Sequence, residues 1–468
     1  MTKENTLIKN TIIVTIGKIC TQLVSFFLLP LYTALLSTEE YGVVDLLNTL
    51  VNLIVPVFIM QMDQGIFRFL IENRDKEEKK NQLITVTMYF MAVQIVLYTA
   101  FFLLASPWIH NEYKYFLLSN MIAALLSTVM LQISRGLGDN FRYSVGSFLA
   151  GSITVVLNVV FIAGMRLGAY GMLAASFAGN MACAVYLMIK LRIFRRIRKE
   201  YYSKQILIML LKYSIPLVPN VISWWVITAS NRIIISFFMN LSANGIYSAA
   251  NKFSGVIVTL YSVFNLTWTE SASVNIDSED RDSFFSKILE QVILIFGSVC
   301  LLVISFMPFV FPIMINEKFQ EAYPQIPILM VATVFNILIS YFGSVYVARK
   351  LTKEIAKTSV FAAGINIGIN ALLINYIGLF AASLGTAIAY FSMFLYRYLD
   401  SRKYVKLRIK KTIILSMIGM YLWTIVSYYI NYDILNIITA IITFGYAFWL
   451  NRENAIVILN VAKRKLKK

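Results

Sequence analysis

The stretch Leu36-Ser37-Thr38-Glu39-Glu40-Tyr41-Gly42-Val43-Val44-Asp45-Leu46-Leu47-Asn48 returns in altered form as Leu241-Ser242-Ala243-Asn244-Gly245-Ile246-Tyr247-Ser248-Ala249-Ala250-Asn251, with Gly42 opposite Gly245 and Asn48 opposite Asn251. A second echo closes each copy, where Gly168-Ala169-Tyr170-Gly171-Met172-Leu173-Ala174 stands against Gly378-Leu379-Phe380-Ala381-Ala382-Ser383-Leu384. The echoes occur in the same order at similar separation, so the chain carries an internal repeat.

Between the echoes the sequence is apolar. Of 468 residues, 59% are hydrophobic and 14% charged, where a soluble domain has roughly 45–50% and about 25%. A mean hydropathy of +0.70 gives the same answer: most of this chain is solvated by lipid. Apolar stretches fall at 8–36, 41–62, 83–105, 115–134, 143–165, 170–189, 213–239, 245–269, 288–315, 325–348, 358–376, 380–399, 412–430 and 434–450. They predict an all-α polytopic membrane protein of about fourteen transmembrane helices. The first stretch is too long for a signal-peptide core and lacks a small-residue cleavage site, so it reads as a retained helix.

Six helices separate the copies, which gives two parallel-repeat six-helix lobes followed by two C-terminal helices. The expected boundaries are 1–189 for the N-lobe, 190–212 for a basic interlobe linker, 213–399 for the C-lobe, 400–450 for the last two helices and 451–468 for a basic tail. The linker interleaves Ile, Tyr and Leu with its cations. It reads equally as an amphipathic helix on the inner membrane surface or as a plain basic loop.

The chain carries 42 Lys+Arg against 24 Asp+Glu, a net +18. Roughly 35 of those cations cluster in alternate loops and at both termini, which places both termini in the cytoplasm by the positive-inside rule. Cations spread over many short loops do not form a nucleic-acid face. Cys20, Cys183 and Cys300 sit in apolar runs without metal spacing, and no phosphate-binding Gly-x4-Gly-Lys-Ser/Thr loop occurs. No metal or cofactor is expected. His110 reads as an interfacial loop residue, and no external loop is long enough to hold an active site of its own.

In the order Leu35-Leu36-Ser37-Thr38-Glu39-Glu40-Tyr41-Gly42, Met62-Asp63-Gln64-Gly65-Ile66-Phe67-Arg68-Phe69, Gln132-Ile133-Ser134-Arg135-Gly136, Asn231-Arg232-Ile233-Ile234-Ile235 and Asn244-Gly245-Ile246-Tyr247-Ser248-Ala249-Ala250, with Asn366 and Asn370 ahead of Gly378, the chain resembles the bacterial polysaccharide flippases. These belong to the multidrug/oligosaccharidyl-lipid/polysaccharide exporter superfamily. The resemblance implies alternating access driven by a cation gradient, H+ or Na+, and the bacterial cytoplasmic membrane as location. One departure is visible: relatives commonly carry an acid before the basic residue of the seventh helix, and here it is Asn231.

The charges inside the spans argue separately. Thr11, Thr15, Lys18, Gln22 and Ser25 recur at helical spacing on the first stretch. Asp45, Asn48 and Asn52 mark the second, Asn231 and Arg232 the seventh, Asn251 and Lys252 the eighth, and Arg397 lies near the end of the twelfth. Neutral polar stripes commonly do no more than bond neighbouring helices. A buried Lys or Arg costs on the order of 2.5–3.5 kcal/mol even on the mildest scale and usually marks a pathway. The expected cavity residues are therefore Lys18, Gln22, Asn48, Asn52, Arg232, Asn251 and Lys252, with Asp45 as the ion-coupling carboxylate.

An excess of cations suits an anionic cargo. Together with the resemblance, this points to a flippase for a polyprenyl-diphosphate-linked oligosaccharide, in contact with membrane lipids and with a polysaccharide polymerase and chain-length machinery as further partners. Rival readings on the same fold are a peptidoglycan lipid-precursor flippase and a cation-coupled multidrug exporter. From other classes come a polysaccharide polymerase and a non-transporting scaffold.

Overall fold

In the computed structural model, which describes residues 26–349 and 351–452, the first long helix begins where the sequence sets its cap. The Ser37 side chain accepts from the Glu40 amide (3.1 Å), and the Glu40 carboxylate accepts from the Ser37 amide (2.8 Å). This reciprocal pair satisfies two donors that a helix start leaves open. After a short α1 (Leu29–Leu35), the first repeat comprises α2 (Thr38–Phe58), α3 (Met62–Glu72), α4 (Glu77–Ala105), α5 (Lys114–Gly136), α6 (Asn140–Asn158, extended by a π turn over Val159–Gly164) and α7 (Gly168–Lys190). There follow α8 (Lys204–Ser214), α9 (Val218–Phe238), α10 (Leu241–Asn275), α11 (Arg281–Met314), α12 (Ile326–Ala348), α13 (Thr352–Ile377), α14 (Leu379–Ser401), α15 (Lys411–Ile430) and α16 (Asp433–Leu450). The chain is an all-α multi-pass membrane protein: among the described residues, eleven helices are long and apolar enough to cross a membrane.

Those eleven coincide with eleven of the expected stretches. Two more, at 213–239 and 245–269, are helical as α9 and α10. Asn244, Asn251, Lys252 and Asn265 lower the hydropathy of α10, and it is not among the eleven. The stretch 8–36 lies mostly outside the described residues.

Two compact units emerge, one ending at Ile233 and the other beginning at Ile234. Their internal pairings correspond. In the first, α5 packs against α2 and α7, and α6 against α7; in the second, α12 packs against α10 and α14, and α13 against α14. The correspondence reaches single residues. At the Gly42/Gly245 spacing, Ser37 falls on Asn240, which caps α10 by accepting from the Ala243 amide (2.7 Å). Gly168 and Gly378, opposed in the second echo, have φ of +56° and +55°, a region that glycine enters at no steric cost.

The copies differ in one respect. The stretch from Thr38 to Glu72 maps at the same spacing onto Leu241–Asn275, which is a single unbroken helix. In the first copy the corresponding chain breaks between α2 and α3, where Met60 and Gln61 are both left-handed (φ +52° and +54°). Pro56, inside α2, precedes the break.

Small residues bring α6 and α7 together. A Cβ on Gly179 would collide with the Thr154 hydroxyl and the Ala150 carbonyl. In the second unit the Trp268 ring stacks on Tyr341 (4.8 Å) and donates to its carbonyl, while the Tyr341 hydroxyl donates to the Phe285 carbonyl (2.7 Å), tying α10, α12 and α11. The last two helices, α15 and α16, pack on α11.

The basic segment 190–212 forms a helix of length only from Lys204, and α8 runs on to Ser214. Its Ile206 and Leu210 are buried, and α8 packs against α3 and α4. Upstream, Arg196 donates to Glu77 (3.1 Å) and Asn81 (3.0 Å), and its carbonyl accepts from Thr85 (3.2 Å). Tertiary bonds to α4, more than amphipathic periodicity, fix this segment.

Candidate functional site

Asp45 lies two turns into α2, and Asn48 and Asn52 follow at helical spacing on the same face. Asn48 is half-buried and Asn52 exposed. Pro56 cannot donate to the Asn52 carbonyl, so this face also carries a backbone acceptor relieved of its helical bond.

Opposite Asp45, α9 presents Arg232. Its Nε donates to Asp45 Oδ2 at 2.6 Å, and each side chain is 18% exposed. The Trp225 indole also joins the two helices, donating to the Thr49 carbonyl (3.2 Å). As α9 advances from 225 to 232 its partners on α2 recede from 49 to 45, so the two helices run antiparallel along this contact. Asn231, the neutral residue before Arg232, is buried, and the acid that pairs with Arg232 comes from α2.

Behind the pair, the ring of Tyr41 lies 6.5 Å from that of Tyr32, whose hydroxyl accepts from Asn158 Nδ2 (2.9 Å). Asn158 immediately precedes the π turn of α6, a local irregularity frequently found at functional sites. Glu40, besides capping α2, accepts from the Ala169 amide at the start of α7 (3.2 Å). The left-handed Gly168 leaves room for that carboxylate, where any Cβ would collide.

The expected site residues therefore meet different outcomes. Asp45 and Arg232, anticipated in separate roles, form one ion pair. Asn251 and Lys252 are half-buried on α10 in the second unit. Lys18 and Gln22 lie outside the described residues.

Two further buried charged residues stand out. Arg397, 1% exposed, donates to the Thr358 hydroxyl (3.0 and 2.9 Å) and to the carbonyls of Ile339 (3.0 Å) and Ile355 (3.4 Å), joining α12, α13 and α14. These neutral acceptors hold it as a rivet between the three helices. Asp63, 4% exposed at the start of α3, accepts from Gln64 Nε2 (2.7 Å) through Oδ2, while its buried Oδ1 has no partner. The available signal was an acid directly after an apolar run and ahead of the basic loop, but an acid at a helix start is ordinary. Among the described residues, no group of His, Cys, Asp and Glu is placed to hold a metal ion.

Comparison with known proteins adds the following. A family model described as "Polysaccharide biosynthesis protein" matches residues 7–269. No curated relative matches the chain. Among solved structures the chain is similar in fold to an inward-facing multidrug resistance MATE family transporter of the MOP superfamily (TM-score 0.69, 14% identity, covering 82% of this chain and 98% of that one). It is also similar to the lipid II flippase MurJ in an inward closed conformation (TM-score 0.68, 14% identity, 96% and 100%). A third likeness is to a MOP superfamily transporter from Pyrococcus furiosus (TM-score 0.57, 16% identity, 84% and 96%).

Proposed function

Since the chain belongs to the polysaccharide biosynthesis protein family, we propose that it is a flippase moving a polyprenyl-diphosphate-linked oligosaccharide repeat unit across the bacterial cytoplasmic membrane by alternating access. The product would feed assembly of a capsule, exopolysaccharide or O-antigen. The observation that carries this reading is Arg232, a guanidinium in an apolar stretch of chain, paired with the Asp45 carboxylate at 2.6 Å. A guanidinium fork fits a diphosphate as well as it fits a carboxylate. An arriving diphosphate would take over the N–H bonds that Asp45 now accepts, and Asn48 and Asn52 would offer amides to sugar hydroxyls. Lys18, Gln22, Asn251 and Lys252 are the further residues proposed to bind the cargo. The lipid tail would stay in the bilayer while the headgroup crosses, driven by an H+ or Na+ gradient. Both termini would face the cytoplasm, and a polymerase with its chain-length machinery would receive the cargo.

Depletion of the protein should leave the lipid-linked repeat unit on the inner leaflet, inaccessible to a sugar-directed probe applied from outside. Unchanged arrival at the outer leaflet would sink the reading. A second cargo, the peptidoglycan lipid precursor, is favoured by the extent of the likeness to MurJ, which covers 96% of this chain. Complementation of a strain lacking its precursor flippase distinguishes the two.

A further inference from the structure

The break between α2 and α3 sets the first repeat apart from the second, and Asp63 sits two residues beyond it. Position 63 maps onto Leu266 of the unbroken α10 at the Gly42/Gly245 spacing, so the second copy has a hydrocarbon side chain where the first has an acid. Asp63 is buried, and its Oδ1 has no hydrogen-bond partner. An ionised carboxylate in such a place needs a cation or a full set of donors.

Among the described residues no cation supplies that need. On α3 itself, Arg68 pairs with Glu72 (2.9 Å). The elements packed against α3 are α4, α5 and α8. On α4, Lys80 pairs with Glu77, which also meets Arg196, and Glu78 accepts from Gln82. Lys79 and the phenols of Tyr89 and Tyr98 complete its titratable groups. On α5, Arg135 lies over the Phe67 ring (4.6 Å), and Lys114 donates to the Ser106 carbonyl beside Tyr115. On α8, Tyr213 packs edge-on to Phe69, with Lys204 and Lys212 exposed. None of these groups forms an ion pair or hydrogen bond with Asp63.

We propose that Asp63 is a proton-binding site, occupied by a proton in the conformation described here and emptied when the Met60–Gln61 joint opens and water reaches Oδ1. The step is a plain protonation, in which the carboxylate gains one proton from solvent on closing and returns it on opening. Burial raises the Asp63 carboxyl from its usual value, against the opposing hydrogen bonds from Gln64 and from its own amide. Asp45 fits this duty less well, because Arg232 already meets its charge. The part Asp63 would play in transport rests on the flippase reading, whereas its proton occupancy does not.

Infrared titration of purified protein carrying isotope-labelled aspartate tests the occupancy directly. The expected result is a carboxylic-acid carbonyl band, absent from Asp63→Asn, that titrates above the exposed aspartates, which titrate near about 4. A band titrating at or below that value, or one persisting in Asp63→Asn, overturns the proposal. The asparagine keeps an acceptor for Gln64, so the variant should fold. The fold favours the protonated acid, so wild-type stability relative to Asp63→Asn should be greatest at acid pH and fall as pH rises through the titration. In proteoliposomes, Asp63→Asn should lose the acceleration that an imposed pH gradient gives to lipid-linked saccharide movement, and undiminished acceleration refutes the coupling role. If the wild type moves no such cargo, the flippase reading fails, and the infrared result still judges the site.

Discussion

A guanidinium placed in the middle of a membrane span costs on the order of 3 kcal/mol even on the mildest insertion scale, and in an apolar stretch of this chain Arg232 is met by the Asp45 carboxylate of α2 at 2.6 Å. Removing either partner alone deprives the other of this ion pair, and for buried pairs the penalty is on the order of 3–5 kcal/mol. Arg232→Gln and Asp45→Asn should each lower the thermal unfolding midpoint in detergent, and the double variant should recover most of the loss. Strictly additive losses would show that the two side chains act independently. Both residues stand out in the sequence as charges within apolar stretches, but their pairing does not. Helical spacing tells which residues share a face of one helix, and it is silent on which face of another helix lies opposite. Asp63 was missed for a different reason: only burial separates it from an ordinary acid at a helix start.

Helix starts and contacts show the same division. Ser37 with Glu40, and Asn240, announce α2 and α10 in the sequence because capping is a local affair of side chains and nearby amides. The break after α2 is marked only indirectly, by Pro56 upstream, since neither Met60 nor Gln61 is a residue that usually interrupts a helix. Close approach of α6 and α7 is likewise a matter of what lies across the contact. Gly179→Val should drive these helices apart, at about 1–3 kcal/mol for overpacking, read as a lower unfolding midpoint. Gly364→Val, at a position with open space around an added Cβ, serves as the control, and equal losses in the two would contradict the packing described.

Composition alone anticipated an all-α membrane protein, because the number and length of apolar runs depend on bilayer thickness and not on how helices meet. The repeat was legible from two short echoes, and the structure extends it to matched caps, matched left-handed glycines and matched helix pairings. What the echoes could not disclose is that one copy is jointed where the other is continuous. That asymmetry has a kinetic consequence. Hydrogen-bonded segments exchange their amide hydrogens in cooperative blocks whose opening free energies differ. Leu241–Asn275 should therefore behave as one block, its protected amides turning over together. Thr38–Phe58 and Met62–Glu72 should exchange on separate timescales, with the amides next to Met60 and Gln61 fastest. Deuterium uptake resolved by peptide would register the difference, and a single shared rate from Thr38 to Glu72 would count against it. A chain assembled from two related halves would then carry a stiff rod in one and an articulated rod in the other, so that thermal agitation is partitioned unequally between duplicates of the same ancestral segment.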